Sequence, residues 1–140
     1  MDIESCLREG FLQKIKVERD LIEKELEEAK YDSGKAKRAF EEGDFKWSIV
    51  KSYYSMFHAA RAVLFSLGLK ERQHFAIRVV LEDLNAKGKL ESRFISDFTA
   101  ALGAREDADY RYTYSQETAA YLLRAAEDFL ARMKRLAKKL

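Results

Sequence analysis

Between Gly43 and Gly68 the chain reads DFKWSIVKSYYSMFHAARAVLFSL, with no proline and no glycine inside it. Trp47, Val50, Tyr54, Phe57, Arg61 and Leu64 recur at alternating spacings of three and four, the repeat of one helical face. Tyr53, Ala60 and Phe65 widen that face. Asp44 suits an N-cap and Gly68 the position just past a helix C-terminus. A helix apolar over so much of its circumference has to be covered on several sides. The stretch is therefore expected to be the central helix of a bundle.

The rest of the chain agrees. Proline is absent, as suits long helices with short joints. Phe11 to about Glu42 reads as one long charged helix, with Leu12, Ile15, Ile22, Leu26, Ala29, Ala36 and Phe40 as its apolar stripe. Gly34 inside it either weakens the helix or marks a bend. The ELEEAK run at Glu25–Lys30 reads as a solvated face with no role of its own. Glu41–Asp44 is a tight joint. A shorter helix carries Ile77, Val80, Leu81 and Leu84 and ends at Gly88. Another starts near Glu91 with Phe94, Ile95, Phe98, Ala101 and Leu102 on its buried side. Ser115 can cap a last helix, on which Ala119, Leu122, Ala126, Phe129, Met133, Leu136 and Leu140 step three-four-three-four. Its basic tail KRLAKKL suits the negative end of a helix dipole. The expected fold is all-α: an antiparallel up-and-down bundle of four long helices plus one shorter helix, a single domain over residues 1–140, with residues 1–10 a frayed start. No strand pattern is seen.

Composition narrows function mainly by exclusion. Apolar residues make up 47% and charged residues 36%, a globular balance. The net charge of +2 is too small for the whole surface to attract polyanions, so a nucleic-acid site would need local clustering. Cys6 is alone and has no disulfide partner. Neither a signal-peptide pattern nor an apolar run near the ~20 residues of a membrane span is visible, which leads to an expected cytoplasmic location with no membrane contact. There is no Gly-rich phosphate loop, no Cys-x2-Cys or His-x3-His pair and not the two Glu-x-x-His motifs of a di-iron bundle, and neither His58 nor His74 is spaced for a metal. No metal and no cofactor is expected.

Two polar groupings break the apolar stripes. Tyr54, His58 and Arg61 share one face of the central helix, with Lys51 and Ser55 alongside. They are either packed, hydrogen-bonded residues at a helix seam or a pocket for a nucleotide or phosphate. Arg105, Asp109 and Tyr112 continue the line of Ile95, Phe98 and Leu102. An Arg–carboxylate pair beside a tyrosine is the plain reading, and Asp following Arg by four is the weaker orientation of such a pair. The functional reading is that the planar guanidinium of Arg105 takes a phosphate.

The run SYYSMFHAARAVLFSLG, then His74 before a short helix, then Arg105-x-x-Ala108-Asp109-Tyr110, resembles the HEPN domain family. The likeness is to its small bacterial and archaeal branch with an R-x-x-A-D-Y signature, over roughly residues 12 to 137. That resemblance implies a helical bundle that forms a two-fold homodimer. Many members are metal-independent RNases, and others are inactive RNA- or nucleotide-binding relatives. A number stand beside a minimal nucleotidyltransferase as toxin and antitoxin. Active members carry an Arg followed after four to six residues by a His. Two such motifs meet across the dimer, where the His moves protons and the Arg stabilises phosphoryl charge.

Arg105 stands at the family's arginine position. The histidine is missing: Tyr110 stands where a four-residue gap would place it and Tyr112 where a six-residue gap would. A tyrosine, with a reference pKa of about 10, is a poor base at neutral pH. The expected function is thus RNA or nucleotide binding at a seam of Arg105, Asp109, Tyr110 and Tyr112, with Tyr54, His58 and Arg61 as further binding candidates, alongside a nucleotidyltransferase in a toxin–antitoxin or defence system. Arg105, Asp109 and Tyr110 are the candidate catalytic residues for any RNase activity. The resemblance also implies adenylylation of a tyrosine at Tyr112, or at Tyr110. One alternative is a working RNase with Asp109 or His58 as substitute base. The other is a non-enzymatic interaction module in which the Arg–Asp–Tyr cluster serves dimer packing alone.

Overall fold

The structure is a computed structural model that describes residues 1–139. The elements run α1 (Ile3–Arg8), β1 (Leu12–Lys14), α2 (Arg19–Glu41), α3 (Phe45–Ser66), β2 (Leu69–Glu71), α4 (Phe75–Ala86), α5 (Ser92–Tyr110) and α6 (Gln116–Lys139). Four long helices and the shorter α4 make the bundle, as the apolar periodicities require, and α3 lies at its centre against α2, α5 and α6. No helix among the described residues is long and apolar enough to cross a membrane.

Helix α3 starts where Asp44 accepts the backbone N–H of Trp47 at 3.2 Å, a side-chain N-cap. Its deepest row is Ile49, Tyr53, Met56, Ala60 and Val63, all at most 1% exposed. The row chosen from sequence lies beside it: Leu64, Phe57 and Val50 are buried, but Trp47 is 48% exposed and Arg61 is only half-buried. A second buried row, Ser48, Ser52, Ser55, Ala59 and Ala62, faces α2. These side chains are small enough to bring two backbones together. Ser48 Oγ donates to Ala36 O at 2.9 Å and Ser55 Oγ to Ala29 O at 2.7 Å. The order of these pairs makes α2 and α3 antiparallel. Helix α6 is likewise antiparallel to α5, since Arg132 reaches Glu91 while Phe129 meets Phe94 and Phe98. The stripe from Ala119 to Leu136 is buried as its spacing indicates, and Leu140 lies outside the described residues.

Three expectations change at the N-terminal side. Residues 1–10 are not frayed: Asp2 caps α1 through Ser5 N–H at 2.8 Å, and Cys6 is fully buried. Helix α2 does not begin at Phe11. Leu12–Lys14 form a strand, which pairs antiparallel with Leu69–Glu71 in the register Leu12 to Glu71, Gln13 to Lys70 and Lys14 to Leu69. This ribbon joins the start of α2 to the end of α3 and closes the open end of their hairpin. Leu12 and Ile15 fitted a helical stripe only because their spacing of three matches one helical turn, whereas Leu12 lies in the strand and Ile15 just past it. Gly68 makes the closure possible. Its φ is +73°, and a Cβ there would sit 3.1 Å from Ile15 O, the carbonyl of the incoming chain.

Gly34 lies inside the continuous helix α2, and a Cβ added there meets nothing within 4 Å. Gly34→Ala is therefore expected to raise unfolding free energy by about 0.5–1 kcal/mol, the helical cost of glycine. Gly68→Ala is expected to lower it by at least about 1 kcal/mol, since an L side chain is strained at that φ. Urea unfolding of the two variants against the parent chain reads both signs.

Candidate functional site

Tyr54 sits one turn before His58 on α3, yet the fold sends the two side chains to different partners. Tyr54 turns toward α5, where its hydroxyl accepts a hydrogen bond from Arg105 Nη2 at 3.1 Å. Arg105 Nε stands 3.0 Å from Asp109 Oδ2. That contact lies off the N–H direction, so Nε is buried with no hydrogen bond and the pair is held by charge alone. The guanidinium carbon lies 5.8, 5.5 and 5.7 Å from the ring centres of Tyr53, Tyr54 and Tyr110, within cation–π range of all three. The side chain keeps 20% of its surface open. Burial opposes its charge, but Tyr54, Tyr110, Asp109 and Tyr53 outweigh that and raise its pKa further, so it stays protonated.

The rim of this seam is aromatic and cationic. Helix α5 ends at Tyr110, so Tyr112 lies past it rather than in line with Arg105 and Asp109. Tyr112 has φ +54°, a left-handed conformation uncommon for a bulky residue. The turn is held by Thr113 N–H donating to Asp107 O at 3.0 Å. Lys46 Nζ stands 5.9 Å from the Trp47 ring and 5.8 Å from the Tyr112 ring, joining the start of α3 to this turn. Trp47, Tyr110, Tyr112 and Tyr114 are all exposed. Sequence reasoning missed Lys46 and set Trp47 in the core. Their signal was position: both follow the Asp44 cap, where a helix start meets solvent.

His58 and Arg61 face α2 and β2 instead. His58 Nδ1 meets Glu25 Oε2 at 2.6 Å, and its Nε2 lies 3.8 Å from Asp32 Oδ2. Arg61 pairs with Glu25 and with Glu71, each at 3.3 Å. Its charge is thus already met by two carboxylates, which leaves little for an incoming anion. The Glu25 hydrogen bond raises the His58 pKa against the opposing effect of burial, and the charges of Glu25, Asp32 and Glu28 add to the rise. Burial likewise pushes the Asp32 carboxyl up, against the attraction of Lys51 and His58. One expectation fails here and one grouping was not foreseen. The ELEEAK run is not merely solvated, since Glu25 is a half-buried partner of two cationic residues. And the fold does place a histidine among possible metal donors, because atoms of Glu28, Asp32 and His58 all lie within 4.8 Å of one another. Glu25 and Asp32 are seven residues apart on one face of α2, the spacing that could have revealed them.

Two comparisons with known proteins bear on this geometry. The model of the HEPN domain matches residues 22–136, from the first buried turn of α2 to the last of α6. A protein of Archaeoglobus fulgidus named "UPF0332 protein" is 29% identical over 106 residues, which cover 74% of this chain and 85% of that one. The family match over residues 22–136 takes in the helices that carry Arg105, Tyr54 and His58.

Tyr53, beneath Arg105, is 1% exposed, and burial pushes its pKa up to about 12 although the Arg105 charge opposes this. An unfolded tyrosine ionises near 10, so between these two values the folded state holds a proton that the unfolded state has lost. Stability must then fall as pH rises through that window. At about 1.4 kcal/mol per unit the effect is at most roughly 2–3 kcal/mol. Tyr53→Phe is expected to remove that component, seen as a flatter stability profile above pH 10 in denaturant titrations.

Proposed function

The chain belongs to the HEPN domain family, and on that premise we propose that it binds RNA or nucleotide at the Arg105 seam and does not cut it. The family is a nucleotide- and RNA-related one. The observation that carries the proposal is the setting of Arg105: a guanidinium among three tyrosine rings, one-fifth open, beside exposed Trp47, Tyr110 and Tyr112 with Lys46 between two of them. Flat aromatic faces interleaved with cations suit single-stranded RNA, whose bases stack while phosphates meet the charges.

A base for the 2′-hydroxyl is what the seam lacks. Tyr110 offers a phenol hydroxyl, suited to hydrogen bonding rather than to taking a proton. Asp109 is an acceptor that Arg105 already holds, and His58 faces α2 rather than α5. General acid–base catalysis typically contributes 10²–10⁴-fold, and a site without it binds better than it reacts. Asp109 also guards the site, because a phosphate has to compete with its carboxylate for the guanidinium. On the same reading Tyr112, 78% exposed, is the hydroxyl a partner nucleotidyltransferase would adenylylate, and a nucleotide there would block the seam by bulk and charge. HEPN domains often dimerise. The exposed aromatics next to Arg105 would bring two such seams together in a homodimer.

Binding of a fluorescent single-stranded RNA, read by anisotropy at fixed salt, tests the proposal. Arg105→Ala is expected to weaken binding by roughly 10–100-fold, the worth of a charge-assisted bond. Asp109→Asn is expected to strengthen it several-fold. Tyr112→Gly should weaken binding without loss of stability, since glycine relieves the positive φ. Equal binding by wild type and Arg105→Ala would remove the proposal, and Arg105-dependent cleavage of the RNA would restore the nuclease reading.

A further inference from the structure

The seam between α2 and α3 carries a set of donor atoms that RNA binding does not use. The Asp32 side chain is 9% exposed, and its ion partner His58 Nε2 is 3.8 Å away, beyond hydrogen-bond length. No hydrogen bond satisfies this carboxylate among the described residues. Ser52 Oγ is also buried without a partner. Since Ser48 meets Ala36 and Ser55 meets Ala29, the antiparallel register sets Ser52 level with Asp32. A nearly buried carboxylate without a hydrogen bond, level with a fully buried unpaired hydroxyl, calls for an explanation. Meanwhile Glu25 engages His58 Nδ1 at 2.6 Å, which leaves Nε2 as the free ring atom on the Asp32 side.

We propose that Glu28, Asp32 and His58 bind one divalent transition-metal ion of the zinc type, with Glu25 orienting the imidazole. An ion about 2.0–2.2 Å from each donor can bridge the 3.8 Å between His58 Nε2 and Asp32 Oδ2. Glu28 stands one turn before Asp32 on α2 and is exposed, so its side chain can swing in to complete the set. One imidazole with two carboxylates favours zinc or a neighbouring first-row ion over magnesium or calcium, which take oxygen alone. The Glu25–His58 contact is the carboxylate–histidine arrangement that fixes ring orientation at metal sites. Three protein donors leave a coordination position for water on the Glu28 side. Binding displaces any proton from Nε2 and leaves the one on Nδ1 toward Glu25. Lys51 is the competing cation: its charge acts on Asp32 from beyond ion-pair distance and has to turn to solvent when the ion enters. The bound ion would tie α2 to α3 independently of what binds at Arg105, so this inference stands or falls apart from the RNA proposal.

The test titrates the chelator-stripped full chain with Zn²⁺ by calorimetry, with Mg²⁺ in parallel, and follows thermal unfolding with and without Zn²⁺. One Zn²⁺ per chain and a raised Tm are expected, with no response to Mg²⁺. His58→Gln and Asp32→Asn should abolish binding, and Glu25→Gln should weaken it by about 10–100-fold. Lys51→Gln should tighten it, a gain that misfolding cannot imitate. Should the first two variants fail to fold, X-ray absorption of the zinc-loaded wild type decides: one nitrogen among oxygen neighbours supports the site. Absence of one-to-one binding, a folded His58→Gln variant that binds like wild type, or a coordination shell with no imidazole overturns it.

Discussion

The close contact of α2 with α3 is the constraint on which the rest depends. It is made by what is missing from the side chains. Ala29 and Ala36 on one helix and Ser48, Ser52 and Ser55 on the other leave the backbones near enough for serine hydroxyls to reach carbonyls of the facing helix at 2.7 and 2.9 Å. Each such bond adds on the order of 1 kcal/mol, and a larger side chain at any of these points would separate the helices. The approach then fixes everything along its edge. Glu25 and Asp32 come within reach of His58, and Glu25 of Arg61. With that face given to α2, α3 has its Tyr53 and Tyr54 side free for α5 and α6. Tyr53 meets Phe98, and Phe98 stacks on Phe129 at 5.7 Å.

Much of this was legible in the residues, and the limits have physical reasons. The α6 stripe was clear because one helix face against one core gives a clean period. Helix α3 was recognised as central, but its exact inner row was not, since a helix buried on several sides has no single apolar face to read. The strand at Leu12–Lys14 was hidden because a three-residue ribbon has no periodicity of its own and exists through its partner at Leu69–Glu71. Ion pairs between helices were hidden for the same reason. Glu25 looks like its neighbours in ELEEAK, and only the register with α3 sets it apart.

The two arginines of the polar groupings show why placement decides function more than residue type. Arg61 and Arg105 are open to solvent to a similar degree, at 24% and 20%. Arg61 faces two carboxylates, one of them shared with His58, and the local balance is already at or below zero. Arg105 faces one carboxylate and three aromatic rings, whose quadrupoles attract the cation without cancelling its charge. A phosphate approaching Arg61 has to displace two carboxylates. One approaching Arg105 meets a guanidinium whose orientation is set in advance, so little rotamer entropy is lost on contact.

The turn after α5 adds a second argument from the same place. A tyrosine at φ +54° costs on the order of 1–2 kcal/mol relative to a residue in ordinary geometry, and glycine would avoid that cost. Nothing in the core requires the ring, since Tyr112 is 78% exposed and its one close charged neighbour is Lys46. A strained, solvent-facing aromatic is poor value for stability alone. Its ring and hydroxyl are left open to solvent. Around it Lys46 lies 5.8 Å from the Tyr112 ring and 5.9 Å from the Trp47 ring, and Arg105 5.7 Å from the Tyr110 ring, so these three exposed rings each have a cation at the face.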